Sequence, residues 1–220
     1  MSARRGIPFV VSAPSGTGKT TVCRAIVERD PRIEFSISHT TRPRRPSEVD
    51  GVHYHFVGSE EFAELIAADA FVEHAEYAGN QYGTSWAAID EPLRAGRDLL
   101  LEVEVQGARQ LRARRDDARL VFLLPPSWTE LESRLRGRGT DSEEAIAKRL
   151  ETAHIELAAV HQFDYAVVNE EVDRTIEAVL SIVQAERDGA TDRVAARFGR
   201  ERVLRELGEA LPIPGSSARA

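Results

Sequence analysis

The stretch "IPFVVSAPSGTGKTT" (residues 7–21) constrains the fold more than any other part of the chain. Residues 7–11 are β-branched and aromatic, are bounded by turn residues and read as a buried strand. Residues 20–29 read as a helix. Between them "APSGTGKT" (13–20) matches the pattern G-x-x-x-x-G-K-[ST], with Ala13 in place of the first glycine. Gly16 and Gly18 let the backbone curl so that successive N–H groups point at phosphate oxygens. The helix N-terminus adds partial positive charge, Lys19 reaches the β/γ-phosphates and the Thr20 hydroxyl can ligate Mg²⁺. A glycine-rich turn that merely caps a helix is the blander reading. Strand before, helix after and GKT in register speak against it. The stretch predicts a nucleoside triphosphate site at Ala13, Pro14, Ser15, Gly16, Thr17, Gly18, Lys19, Thr20 and Thr21.

A strand that feeds such a loop belongs in a parallel sheet. Further strands are expected over 98–105, 119–124 and 164–169, each followed by helical sequence. One of these helices opens with a Ser127/Glu130 capping box, and another carries acids in its first turn, in "TDSEEAIAKRL". The expected class is α/β: a P-loop core with a parallel sheet flanked by helices. Residues 36–90 break the rhythm. "HYHFV", "FVEHAEY" and "NQYGTS" are short, aromatic and glycine-punctuated, with one helix-like piece over 59–68. They read as a small, mostly antiparallel insertion at 37–90, which leaves 1–36 and 91–190 as the core. Residues 191–220 form a polar, arginine-rich tail. Val194, Phe198, Leu204, Leu207 and Leu211 have helical spacing around Gly199, and the last six residues are expected to be disordered.

The 220 residues suffice for one α/β domain with an insertion. A formal charge of −7 gives the chain as a whole no electrostatic reason to coat nucleic acid or anionic lipid, so any anion site must be a local basic cluster. No stretch approaches the roughly 20 apolar residues of a membrane span. The apolar run at the N-terminus is broken by Pro8 and leads directly into the phosphate loop, which a cleaved leader would destroy. The single cysteine, Cys23, excludes an internal disulfide, reads as a packed helix residue and fits a reducing cytoplasm. His53 and His55 alternate on one strand without a third ligand at convincing spacing, so packing or surface roles are expected. The sequence does not distinguish a monomer from a homo-oligomer.

A second anion site is written in "SHTTRPRRPSEVDGVHY" (38–54). Pro43 and Pro46 rule out a continuous helix or central strand and hold Arg42, Arg44 and Arg45 on a shaped loop. Arginines that only pair with surface acids would not need such shaping. Guanidinium groups suit bidentate phosphate recognition, and Tyr54 and Tyr82 lie in the same insertion. A second nucleotide phosphate is the natural ligand.

Taken in order, "SAPSGTGKTT", "SISHTTRPRRPSEVDGVHYHFV", "FVEHAEYAGNQYGTS", "LEVEVQGARQ" and "RGRGTDSEEAIAKRL" resemble the successive motifs of the bacterial-type guanylate kinase family, over residues 7–188. The resemblance implies transfer of the γ-phosphoryl group of ATP to GMP with Mg²⁺, in purine nucleotide metabolism. It makes the insertion a GMP-binding region and 134–152 a mobile helical lid. It places Arg42, Arg45, Tyr54 and Tyr82 on the GMP phosphate, and Ser38, Glu73 and Thr84 at the guanine. Guanine offers N1–H and N2–H₂ as adjacent donors that one carboxylate satisfies together, whereas adenine leaves that carboxylate unpaired. Arg44 has no matching role and reads as surface.

Phosphoryl transfer needs positioning and positive charge where the transferring oxygens develop negative charge. Lys19 and Arg42 supply part of it, and the family pattern adds Arg134, Arg138 and Arg149. Glycines at 137 and 139 flank Arg138 and give hinge freedom to a loop that closes over ATP. Helical arginines also pair with acids at i,i+4, and Glu143, Glu144 and Glu151 compete for them. Where the family shows an acid, a spacer and aspartate, this chain has Glu102 and Glu104. Strand alternation would put both on one face, in reach of guanine N2 or a Mg²⁺-bound water. Asn169, closing "AVVN", is expected near the adenine. Catalytically dead scaffold modules of similar sequence lose the P-loop lysine or lid arginines, which this chain keeps. Glu73 with "YGTS" disfavours another nucleoside monophosphate. Interleaved acids in the tail (Glu201, Glu206, Glu209) disfavour an RNA or partner adaptor.

Overall fold

The structure is a computed structural model that describes residues 4–77, 79–137, 142–211 and 213. Strand β1 (Pro8–Ser12) is buried along its length and leads through the glycine-rich loop into helix α1 (Lys19–Arg29). Strands β2 (Ile33–Phe35), β3 (His39–Thr40) and β4 (His55–Phe56) follow. The proline-bearing loop separates β3 from β4, and residues 41–49 form neither helix nor strand. Helix α2 (Ser59–Ala67) precedes β5 (Phe71–Tyr77), which pairs with β6 (Asn80–Ser85). Then come α3 (Trp86–Arg94), β7 (Asp98–Glu102), α4 (Val105–Arg114) and β8 (Arg119–Leu124). Helices α5 (Trp128–Arg136) and α6 (Glu143–Ala158) start at serine caps. Ser127 Oγ accepts from the Glu130 N–H at 3.1 Å and Ser142 Oγ from the Ala145 N–H at 3.2 Å. A 3₁₀ turn, β9 (Tyr165–Val168), α7 (Val172–Arg187), α8 (Thr191–Phe198) and α9 (Arg200–Leu207) complete the main elements.

Five strands in the order β2-β7-β1-β8-β9 form the main sheet, and the β2–β7 and β8–β9 pairings are parallel. Every residue of β1, residues 98–101 of β7 and residues 120–124 of β8 are buried, as expected of strands covered on both faces. The fold is α/β with helices flanking a parallel sheet, as the alternation of elements predicts. A second sheet, in the order β4-β3-β6-β5, is mixed. Its β3–β6 and β5–β6 pairings are antiparallel, while β3–β4 is parallel because the long proline loop brings the chain back in the same direction.

One boundary differs in a way that matters. The strand expected over 98–105 ends at Glu102, and Glu104 is the N-cap of α4 with φ −77° and ψ 164°. The alternation that would align Glu102 with Glu104 therefore does not extend to Glu104. "VQGARQLRAR" is helical from its first residue, and the helix takes over before the strand can continue.

Contacts divide the chain into two compact units, Met1–Val10 with Asp30–Ala118, and Val11–Arg29 with Arg119–Ala220. The first contains the second sheet with β2, α3, β7 and α4. Its buried Asp98 accepts the Ile7 N–H at 2.8 Å and an Arg4 Nη2 bond at 2.7 Å. The second contains the phosphate loop, α1, β8, β9 and the helices from α5 onward. Here the tail docks through the residues its spacing picks out: Val194, Phe198, Leu204 and Leu211 are buried, and Leu207 is half-buried. Gly199 forms an isolated antiparallel bridge with Tyr165, and Arg200 Nη1 donates to the Phe163 carbonyl at 2.8 Å. The last six residues, 215–220, expected to be disordered, lie outside the described residues.

Candidate functional site

The phosphate loop has the backbone its glycines allow. Gly16 and Gly18 have φ of 90° and 94°, where an L side chain is strained. The Thr17 N–H donates to the Pro14 carbonyl at 3.1 Å, and the Val22 N–H to Gly18 O at 3.2 Å begins the helical ladder. Lys19 and Thr20 occupy the first turn of α1, Lys19 half-buried and Thr20 exposed, where the positive end of the helix dipole favours anions.

The rest of the second unit grips this loop. Asn169 Nδ2 donates to the Thr17 carbonyl at 2.6 Å, and Thr175 Oγ1 donates to Asn169 Oδ1 at 2.9 Å. Asn169, expected near the adenine, is 2% exposed and commits its amide to the loop itself. The Ser15 N–H donates to Glu156 Oε2 at 3.3 Å, and Gly16 packs so closely on Leu135 that a Cβ would lie 2.8 Å from its Cδ2. Thr175 and Glu156 carried no signal in the sequence, since neither lies in a motif. Arg134 is partly absorbed locally, as helical arginines tend to be: Nε donates to Glu130 at 2.9 Å and Nη1 to the Asn169 carbonyl at 3.1 Å. Arg149 lies half-buried on α6. Arg138 lies outside the described residues.

The arginine loop belongs to the first unit. Arg42 is half-buried, with its guanidinium carbon 5.6 Å and 5.7 Å from the ring centres of Tyr54 and Phe56. The rings of Tyr54 and Tyr82 lie 6.0 Å apart, so Arg42 and both tyrosines share one small region. Arg44 and Arg45 are exposed. The loop closes at the acid-Gly turn, where the Gly51 N–H donates to Tyr54 O at 2.8 Å and the Phe56 N–H to Asp50 Oδ1 at 2.9 Å. His53 Nδ1 accepts the Val49 N–H at 3.0 Å, while His39 and His55 stack with ring centres 4.7 Å apart. Burial, then the neighbouring His55, lowers the His39 pKa, with Asp50 opposing.

Beside this loop the second sheet brings Ser38, Glu73 and Thr84 together. Thr84 is fully buried and Glu73 is 4% exposed. Thr84 Oγ1 donates to Glu73 Oε1 at 2.5 Å and lies 3.0 Å from Ser38 Oγ. The carboxylate is thus a buried acceptor at the end of a hydroxyl relay. Gln110 of α4 binds both backbone groups of His74, donating to its carbonyl at 2.7 Å and accepting its N–H at 3.0 Å, which fixes β5 against the helix. Glu102 ends β7 and Glu104 opens α4, both partly exposed.

A P-loop on a parallel sheet, together with an inserted sheet carrying arginines, tyrosines and a buried carboxylate, defines a kinase of nucleoside monophosphates. The sequence model described as guanylate kinase matches residues 5–186. The guanylate kinase of Syntrophotalea carbinolica is 49% identical over 197 residues, covering 90% of this chain and 93% of that protein. That of Escherichia coli K12 is 48% identical over 185 residues, covering 83% and 89%. The crystal structure of guanylate kinase from Anaplasma phagocytophilum superposes with a TM-score of 0.69 at 33% identity, covering 84% of this chain and 88% of that one. The chain belongs to the guanylate kinase family. Among the described residues no helix is long and apolar enough to cross a membrane.

Proposed function

We propose that the reaction of this chain, transfer of the γ-phosphoryl group of ATP to GMP giving ADP and GDP, is divided between its two constellations. Residues 13–21 with Asn169, Arg134 and Arg149 serve ATP, and all of them lie in the second unit. Ser38, Arg42, Arg45, Tyr54, Glu73, Tyr82, Thr84 and Glu104 serve GMP, and all of them lie in the first. The proposed functional division is a core at 1–36 and 91–190, a GMP-binding insertion at 37–90 and a tail from 191; the core so drawn takes residues from both units and includes Glu104.

The observation that carries the reading is the buried Glu73 carboxylate on its hydroxyl relay. An ionised carboxylate only accepts hydrogen bonds, and guanine offers two donors side by side at N1 and N2. Arg42 and Arg45, with the hydroxyls of Tyr54 and Tyr82, hold the phosphate of GMP. Lys19 and the first-turn N–H groups of α1 hold the ATP phosphates, and Arg149, Arg134 and Arg138 add positive charge as the γ-phosphoryl oxygens change character. Residues 134–152 form the lid that excludes water. Thr20, Glu102 and Glu104 are hard oxygen donors of the kind Mg²⁺ takes, Thr20 directly and the glutamates through water. When bound, Mg²⁺ supplies charge neutralisation at the ATP phosphates. The lone, buried Cys23 agrees with work in a reducing cytoplasm.

The test is ADP formation from ATP and Mg²⁺ with GMP, AMP, CMP, UMP and dTMP in parallel, for wild type, Lys19→Ala and Glu73→Gln. ADP forms only with GMP, is lost in Lys19→Ala and falls in Glu73→Gln. Equal turnover with AMP, or an unaffected Glu73→Gln variant, removes Glu73 from base recognition.

A further inference from the structure

Gly107 is the third residue of α4 and is buried. It sits in regular helix, where the backbone makes no demand for glycine and alanine is the better helix former. The reason for its missing side chain lies across the gap to β5. A Cβ at Gly107 would come within 3.0 Å of Glu73 Oε2, closer than real Cβ atoms approach a neighbour, and would lie 3.1 Å from Glu73 Cδ. Val103 Cβ would stand at 3.4 Å on another side.

The carboxylate has little room to yield. Its other oxygen is held by Thr84 Oγ1 at 2.5 Å. The backbone of β5 is pinned one residue later, where Gln110 of the same helix holds both polar groups of His74. Strand, helix and hydroxyl relay thus fix the Glu73 side chain from three directions, and the space at Gly107 is where its outer oxygen lies.

We infer that Gly107 is a positioning residue for base recognition: the absence of its Cβ sets how deeply the Glu73 carboxylate sits, and so where its acceptor oxygens meet N1–H and N2–H₂ of guanine. The inference rests on the assignment of Glu73 to guanine made above. Hydrogen bonding falls off steeply with misplacement, so a carboxylate displaced by one methyl group meets one guanine donor well and the other badly.

The experiment compares Gly107→Ala, Glu73→Asp, the double variant and Glu73→Gln. Initial rates are taken against GMP, IMP (which lacks the N2 amino group) and ATP, with thermal melts alongside. Gly107→Ala raises KM for GMP by about tenfold, shrinks the preference for GMP over IMP and leaves KM for ATP within about twofold. In the double variant the shorter aspartate withdraws from the new methyl group, so the pair loses far less than the product of the single losses. It also melts at or above Glu73→Asp alone, because alanine replaces glycine in a helix. This comparison holds even if Gly107→Ala by itself does not fold. A folded Gly107→Ala enzyme with unchanged KM for GMP and an unchanged GMP/IMP ratio overturns the inference. So does a double variant that melts below Glu73→Asp. If Glu73→Gln leaves GMP use intact, the assignment of Glu73 fails and this inference with it. If Glu73→Gln is impaired while Gly107→Ala is silent, only the inference fails.

Discussion

Glu48 holds both terminal nitrogens of Arg42, Oε1 to Nη2 at 2.7 Å and Oε2 to Nη1 at 3.1 Å, and Oε2 also accepts the Arg45 N–H at 2.8 Å. The loop proposed to bind a phosphate thus has its central arginine oriented by an internal carboxylate, with side-chain exposures of 15% and 12% for the two partners. A neighbouring negative charge opposes phosphate binding, but a fork fixed in one geometry loses less entropy on meeting its ligand. Orientation outweighs repulsion here, because the guanidinium keeps its full charge and both aromatic neighbours. In Glu48→Gln, KM for GMP should rise by about tenfold with KM for ATP unchanged. A fall in KM for GMP would mean that Glu48 acts chiefly as a competitor for the phosphate.

The same pair has a pH signature. The Arg42 guanidinium, then the Arg45 N–H, holds the Glu48 carboxyl down to about 2 from an ordinary value of 4.5. A depressed folded-state value means that the stabilisation is fully present above 4.5 and is lost as pH falls through about 2. Urea unfolding of wild type and Glu48→Gln at stepped pH should show a gap at pH 7 that closes only below the ordinary carboxylate value. A gap that stays constant down to the folded value would show that the ion pair contributes nothing to stability.

Asn169→Ala removes the donor to a buried P-loop carbonyl and leaves Thr17 O unpaired, which costs about 1–3 kcal/mol. Because the loss falls on the loop, KM for ATP should rise by about tenfold or more while KM for GMP holds. Thr175→Val, which frees the Asn169 amide to rotate and also removes the hydroxyl beside the Glu171 carbonyl, should show a smaller effect in the same direction. Equal damage to both nucleotides would point to global loosening.

Thr84→Val keeps the shape of a fully buried residue and deletes the hydroxyl between Ser38 and Glu73. Loss of this hydrogen bond to Glu73 should lower kcat/KM for GMP by about 10- to 100-fold, with the fold intact by circular dichroism. Unchanged GMP kinetics would remove the relay from recognition.

Phe198 is 9% exposed where α8 meets the rest of the second unit. Phe198→Ala should cost about 3–5 kcal/mol in denaturant unfolding, with both KM values preserved. A loss below about 1 kcal/mol would show the tail to be loosely attached.

The P-loop and the proline-bearing loop were legible because each is local. The P-loop needs only its glycines, lysine and threonine in register between a strand and a helix, and the proline loop announces its irregularity by composition. Strand cores were legible from β-branched runs, and the tail from the spacing of Val194, Phe198 and Leu204. The end of β7 was not, because "EVEV" alternates like a strand up to the residue that caps a helix. Glu48 reads as one acid among many until the turn folds it back on Arg42. Thr175, Glu156 and Gly107 matter only through partners far away in sequence, and no local pattern encodes such a pairing.

The bond from Asn169 to Thr17 spans 152 residues and so imposes an order of assembly. The first motif of the chain to be synthesised is among the last to be finished. A nascent polypeptide that stops short of β9 has every residue of the P-loop and lacks the amide that sets its shape. Closure across so long an intervening segment is slow compared with forming the helix next to the loop. The loop therefore takes its final shape with the completed second unit, and a truncated chain carries the motif without the grip.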